Sequence, residues 1–316
     1  MKIVLAIDHG NSRIKTLTCS FTSGCVESGH LPAMGGDVLV YQGKEYTLSG
    51  KRMAQKNDKT EDDSFFILTL FAIGKELLEN PQYSANLKPH STVSVELLIG
   101  LPPLHYKAMY KRFEKYFTGR EPRISFELNK KPVTIEITGA QAFPQAYAAA
   151  ITVYDKIKDS HMVNIVDIGG YTVDCLGLSK MRPNMDVCTS LYMGVNTLFQ
   201  KINEQVRATG AQNIQDSIIE AILMDDLKTI SDYSKTRIEL VRGRTQKFCA
   251  ELLSEVAQTG LDLTENKTVF VGGGSILLKE YIVLTGKAPR TVFVDDIHAN
   301  AKGYQMLYNM ANTVKA

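Results

Sequence analysis

The chain has 316 residues, 44% hydrophobic and 22% charged, with a formal net charge of +2. That length allows roughly two domains of ~150 residues with a real core, and the near-neutral charge argues against direct nucleic-acid binding. Five scattered cysteines with no CxxC pair argue against a disulfide framework or zinc site, and the short apolar run before Asp8 is neither a signal peptide nor a membrane span, so a cytoplasmic protein with no membrane partner is expected.

Near the start, "VLAIDHGNSRIKTL" reads as strand, tight polar turn, strand, which is a β-hairpin. Neighbouring side chains on a strand point to opposite faces, so if Asp8 serves a site His9 faces away and is structural. Residues from about 31 to 92 read as a small insertion in the first domain, with the charged run "KNDKTEDD" as a solvated loop. "VSVELLIGLPP" is a strand stopped by Gly100 and two prolines, followed by a helix ending at Gly119. "PVTIEITGAQAFPQAYAAAITVYDKI" reads as a strand, a turn at Gly139, and an Ala-rich helix with Pro144 in its first turn. "VNIVDIGGYTVDCL" then repeats the first hairpin: Asp8 falls on Asp167, Gly10 on Gly169, Asn11 on Gly170 and Lys15 on Asp174. A repeat at that distance indicates domain duplication rather than a solenoid. One helix or two cover 235–260, "KTVFVGGGSILLKEYIV" is strand, glycine turn and helix, and a small-residue helix starts near Ala299.

Glycine turns bring the backbone close to a ligand and point N–H groups inward, and phosphate is the usual guest of such nests. Asp8 and Asp167 repel phosphate, so they make sense as partners of Mg²⁺, usually through water. Lys15 would answer a phosphate charge. "VFVGGGS" offers a backbone on which a nucleoside can lie, but it lacks the ending of a P-loop and the full spacing of a Rossmann fingerprint.

Taken in order, "AIDHGNSRIK", "GAQAFPQAYAAA", "VDIGGYTVD", "VFVGGGS" and "ANAKGY" resemble the five motifs of the actin, sugar kinase and heat-shock chaperone superfamily. Within it the chain looks most like the ParM/StbA-type bacterial actins that segregate plasmids, with "GLPPLHY" the most useful marker. The resemblance implies an α/β, ribonuclease H-like, duplicated actin-like fold with a nucleotide cleft between domains. The first domain would be 1–157, completed by a C-terminal helix over 300–316, and the second 158–299.

By the same resemblance, Asp8, Gly10, Asn11, Ser12 and Lys15 match the first phosphate hairpin, and Asp167, Gly169, Gly170, Tyr171 and Thr172 the second. Gly272, Gly273, Gly274 and Ser275 match the nucleoside turn. Gln141 falls where the family orients the attacking water, and with Asp167 it forms the expected catalytic pair. Tyr171 stands where Thr or Ser is frequent, so its ring must point away from the phosphates. The implied function is a filament-forming ATPase or GTPase whose nucleotide sets the angle between domains and hence the head-to-tail stacking of copies. Its implied partner is a centromere-binding adaptor on plasmid DNA. A small-molecule kinase of the same fold, or a non-polymerising nucleotide-binding scaffold, remains the alternative. A chaperone is disfavoured because the chain ends soon after the last motif.

Overall fold

The computed structural model describes residues 1–27, 36–54, 56, 58–88 and 91–313. They divide into two units, Met1–Ala149 with the segment from Asn300, and Ala150–Ala299. Parts of the expected insertion (31–35, 55, 57, 89, 90) and of the expected terminal helix (314–316) lie outside the described residues.

The first unit holds strands β1 (Lys2–His9), β2 (Arg13–Lys15), β3 (Ser20–Thr22), β4 (Cys25–Glu27), β5 (Val38–Tyr41) and β6 (Lys44–Leu48). Helices α1 (Ser64–Glu79) and α2 (Pro81–Ser84) lead to β7 (Thr92–Leu101), α3 (Pro103–Thr118), β8 (Ile124–Leu128), β9 (Lys131–Pro144) and α4 (Tyr147–Ile151). The strands form one sheet in the order β3-β2-β1-β7-β9-β8-β5-β6-β4. In the second unit α5 (Tyr154–Ile157) precedes β10 (Met162–Ile168), β11 (Val173–Ser179) and β12 (Arg182–Leu191). Then come α6 (Val195–Ala208), α7 (Asp216–Leu223), α8 (Leu227–Ile230), α9 (Lys235–Gln258), β13 (Lys267–Val271), α10 (Gly273–Leu284) and β14 (Thr291–Phe293). Their sheet runs β12-β11-β10-β13-β14. The chain finally returns to the first unit as α11 (Ala299–Thr313).

The duplication suggested by two short hairpins extends to whole sheets. β1 pairs antiparallel with β2 and parallel with β7, β2 antiparallel with β3, and β7 parallel with β9. In the second unit β10 pairs with β11 and β13, β11 with β12, and β13 with β14, in the same senses. The first unit then adds β8-β5-β6-β4 beyond this common five.

Period-two alternation decides what each face of β1 meets. Ile3, Leu5 and Ile7 join the core under α1 and α3, whereas Ala6 packs with Leu98, Phe143, Ala148, Ala301 and Tyr304 on the other side. The run 64–79 is therefore no peripheral insertion. Phe65, Phe66, Phe71 and Ile73 of α1 are fully buried in that core, because "FFILTLFAI" is apolar all round and is stable only when enclosed.

The helix expected to start near Pro144 is cut short. β9 does not turn at Gly139 but keeps its pairing with β7 through Pro144↔Leu101, absorbing a register shift opposite Val95/Glu96. α4 is left with five residues. Gly303 of α11 explains a small residue there, since a Cβ would lie 1.9 Å from the Ala148 carbonyl oxygen. α9 is one helix of 24 residues, N-capped by the Ser234 side chain.

Candidate functional site

In the first hairpin Asp8 pairs with Lys15 and His9 with Ile14. Asp8 is only 2% exposed. Burying a carboxylate is costly unless it is paired, and this one is. Gln145 Nε2 donates to Asp8 Oδ1 at 2.6 Å, Tyr304 Oη at 3.3 Å, and Lys15 Nζ stands 3.6 Å from Oδ2. Gly100 is what lets Tyr304 in, since a Cβ there would lie 1.9 Å from the tyrosine oxygen. Gly100 thus serves the Asp8 environment, a role beyond the strand stop read from sequence.

His9 faces the other way, among the rings of Phe65, Phe113 and Phe117, and is fully buried. Thr69 gives its hydroxyl proton to the Phe65 carbonyl, so His9 Nε2 donates to Thr69 Oγ1 at 2.8 Å and the ring is the neutral Nε2–H tautomer. Burial, and then the nearby Lys59 charge, push the His9 pKa down to about 3, against smaller upward pulls from Asp8 and the Ile7 backbone. The unfolded chain binds this proton near 6.5 and the folded chain only near 3, so stability rises with pH across that window and is flat above it. At pH 5 the expected loss relative to pH 7.5 is about 2 kcal/mol from this group. Denaturant midpoints of wild type and His9→Leu at the two pH values check it, and parallel losses would reject a neutral buried ring.

Lys59 corrects the reading of "KNDKTEDD" as a solvated loop. It is 3% exposed and its amine donates to the His9 carbonyl, with the ammonium 5.7 Å from the Phe65 ring centroid. The tip of this hairpin is held from the same side. Ser23 donates its hydroxyl to the Gly10 carbonyl at 2.5 Å and its amide to the Ser12 carbonyl at 3.1 Å. The Asn11 side chain meets the Lys56 backbone amide and carbonyl at 3.5 Å each. Ser12 Oγ is buried with no hydrogen-bond partner among the described residues, a hydroxyl that a ligand at the tip would satisfy.

The second hairpin repeats the register, with Asp167 opposite Asp174 as Asp8 is opposite Lys15. Val166 and Ile168 join the core of the second unit, so Asp167 points to the opposite face, as Asp8 does in its own unit. Two carboxylates directly across strands repel, and Ser190 Oγ donates to Asp174 Oδ1 at 2.6 Å. The tip is closed by Gly169 N–H to the Thr172 carbonyl at 2.9 Å. It is then braced by the start of α6. Gly194, Val195 and Asn196 donate their amides to the carbonyls of Tyr171, Gly169 and Gly170. A Cβ on Gly194 would lie 2.5 Å from Gly170 backbone atoms, so only glycine permits this approach.

Beside Asp167 lies the glycine turn between β13 and α10. Gly272 has φ +87, and a Cβ on it would stand 2.2 Å from Asp167 Oδ1 and 2.7 Å from the Ile168 carbonyl oxygen. Gly274 is packed on Ile168 and Val195, while Gly273 faces open space. Ser275 turns its hydroxyl back onto the Gly272 carbonyl at 2.8 Å, which makes its side chain a brace of the turn.

Gln141 is not at a helix start. It is exposed on β9, level with Leu98 and hence with Ala6, two residues short of Asp8 along the sheet. The glutamine that reaches Asp8 is Gln145, four residues on. Gln145, Tyr304, Lys59 and Gly194 were missed from sequence. The second glutamine of "QAFPQ" and the tyrosine of "KGY" were the signals that could have found the first two.

Residues 6–147 match the family described as actin like proteins N terminal domain, and residues 165–283 match the archaeal actin homologue MreB-like C-terminal family. None of the curated proteins matches the sequence. Among solved structures, the archaeal actin homolog Ta0583 in complex with ADP is similar with a TM-score of 0.71 at 15% identity, over 98% of this chain and 99% of that one. The apo psk41 ParM protein gives 0.69 at 15%, over 100% and 99%. An Alp12 filament structure gives 0.68 at 16%, over 98% and 99%. At such identities the likeness shows the fold. Two family matches falling one on each duplicated unit, with the hairpin acids at equivalent registers, establish that the chain belongs to the actin-like proteins.

Proposed function

We propose that the chain binds and hydrolyses ATP or GTP, assembles head to tail with copies of itself in step with that cycle, and moves plasmid DNA through a centromere-binding adaptor. The nucleotide reading rests on one observation. Asp8 and Asp167 occupy the same register and the equivalent face of two hairpins of one topology, each beside a glycine-containing tip. The ADP of Ta0583 and the filament of Alp12 support binding and assembly, and the likeness to ParM supports the plasmid role.

Gly10, Asn11 and Ser12 of the first tip, and Gly169, Gly170, Tyr171 and Thr172 of the second, would present backbone N–H groups to phosphate. Lys15 would add positive charge. Gly273 would lie nearest the nucleoside, since Gly272 and Gly274 are packed inward. Among the described residues no three His, Cys, Asp or Glu converge on a cation site. Asp8 and Asp167, each at the mouth of its own hairpin, would hold waters of Mg²⁺ brought by the phosphates, and when bound the ion would neutralise phosphate charge. Gln145, aimed at Asp8, takes the water-orienting role expected of Gln141.

Sedimentation with triphosphate plus Mg²⁺, with diphosphate, and with chelator tests the reading. A pellet is expected in the first case alone, and equal pellets in all three would sink the proposal. In parallel, Asp167→Ala should strongly slow phosphate release while the thermal melt stays cooperative. Wild-type release from that variant would remove Asp167 from the site.

A further inference from the structure

Two exposed surfaces of opposite charge stand on separate elements. On the first unit α3 turns its acid inward, where Glu114 Oε1 accepts the Ala142 amide at 2.9 Å. Its outward stripe is Leu104, Lys107, Ala108, Lys111 and Lys115, a helical spacing in which all five are exposed. Leu104 is 46% exposed, and the three lysines take part in none of the ion pairs among the described residues.

On the second unit the corner from α7 to α8 exposes Met224 at 58% and Leu227 at 75%. Leu284, at the end of α10, is 67% exposed. Leu277, Tyr281 and Leu284 share one face of α10, which packs on α7, and Tyr281 feels the charges of Arg242 and Asp225. Tyr281, one turn before Leu284 on that face, thus ties α10 to the corner that carries Met224 and Leu227. Acids outnumber bases there: Asp216, Glu220, Asp225, Asp226 and Glu280 are exposed, against Lys228 and Arg242. Asp225 is tied to Arg242, which leaves Asp226 and Glu280 to face outward.

We propose that this acidic, apolar corner docks on the lysine stripe of α3 of a second copy. The inference rests on the reading that the chain assembles with itself, and it names the two surfaces that meet. Leu227 and Leu284 would lie against Leu104 and Ala108, with Asp226 and Glu280 facing Lys107 and Lys111. Complementary charge fixes orientation and speeds encounter, while the apolar centre supplies affinity. Because the two surfaces differ, each docked copy presents a free surface of either kind, and the contact repeats along a line.

Charge reversal on the full chain, with triphosphate and Mg²⁺, tests the pairing. Lys107→Glu with Lys111→Glu should abolish pelleting, and so should Asp226→Lys with Glu280→Lys. An equimolar mixture of the two variants should pellet again, because each reversed surface then meets its match. All four changes are at exposed positions; Asp226 also accepts the Thr229 hydroxyl at 2.6 Å, so a cooperative melt of each variant is the check that a lost pellet reports the surface. Independently, the Ala108→Cys/Leu227→Cys chain treated with a short bismaleimide should give a ladder of oligomers. The native thiols are buried or half-buried, with Cys19 and Cys25 pushed up to about 11 by burial, so the engineered pair reacts first. Wild-type pelleting that survives both reversals, or the absence of a ladder while the wild type pellets, overturns the pairing and leaves the assembly reading standing. Absence of both pelleting and ladder with every nucleotide overturns the two together.

Discussion

Gln145→Ala is expected to slow phosphate release by ~10²-fold per folded, nucleotide-bound subunit, about 2.7 kcal/mol of barrier, whereas Gln141→Ala stays near wild type. The asymmetry follows from position. Gln145 is 7% exposed and donates to Asp8 at 2.6 Å, while Gln141 is exposed on β9 and level with Ala6. Removing the amide also leaves the buried carboxylate of Asp8 short of one donor, so a stability loss of about 1–3 kcal/mol should accompany the kinetic effect. Nucleotide affinity should change little, because a residue that orients water acts mainly in the transition state. Assembled material should then persist longer. Phosphate release and pelleting measured side by side decide the matter. If Gln141→Ala shows the slow release and Gln145→Ala does not, the water-orienting role returns to β9.

Gly272→Ala should be the most damaging single methyl in the second unit. The position combines φ +87 and ψ 162, a backbone region essentially reserved for glycine and costing about 1–3 kcal/mol otherwise, with a Cβ 2.2 Å from Asp167 Oδ1 and 2.7 Å from the Ile168 carbonyl oxygen. Relief requires the Asp167 side chain or the end of β10 to move, so a total of roughly 2–5 kcal/mol and a loss of nucleotide binding of tenfold or more are expected. Gly273→Ala is the control. Its Cβ enters open space, so the melting temperature should hold, and weaker nucleotide binding there would report the approach of the ligand itself. Equal melting temperatures and equal affinities for the two variants would show that the turn is looser than its geometry implies.

The hairpins, the glycine turn, α3 and α10 were legible because each is local. Apolar runs, glycines and prolines within a dozen residues decide them. β9 was not, because its passage through Gly139 is set by pairing with β7, whose register a sequence window cannot see. The Asp8 environment was half legible. The acid and Lys15 lie in one hairpin, but Gln145 and Tyr304 are 137 and 296 residues from Asp8 along the chain. The burial of Lys59 was masked by the charged residues around it. The repeat of Asp8 in Asp167 was readable at fourteen residues and proved to be the visible end of a duplicated five-strand order.

α6 is fastened at both of its ends. Its first amides belong to the Gly169 and Gly170 carbonyls, and near its far end Asn203 clasps Ile214 by two hydrogen bonds of 2.7 and 3.0 Å, directly before α7. The helix from Val195 to Asn203 makes a strut of about 12 Å between the two fastenings that neither stretches nor bends cheaply. A displacement of the hairpin tip must therefore break a fastening or push the base of α7. The other end of α7 is the exposed corner at Met224. A mechanical linkage of this kind would let the chemistry at a glycine tip set how long a neighbouring copy stays attached, with no side chain spanning the distance.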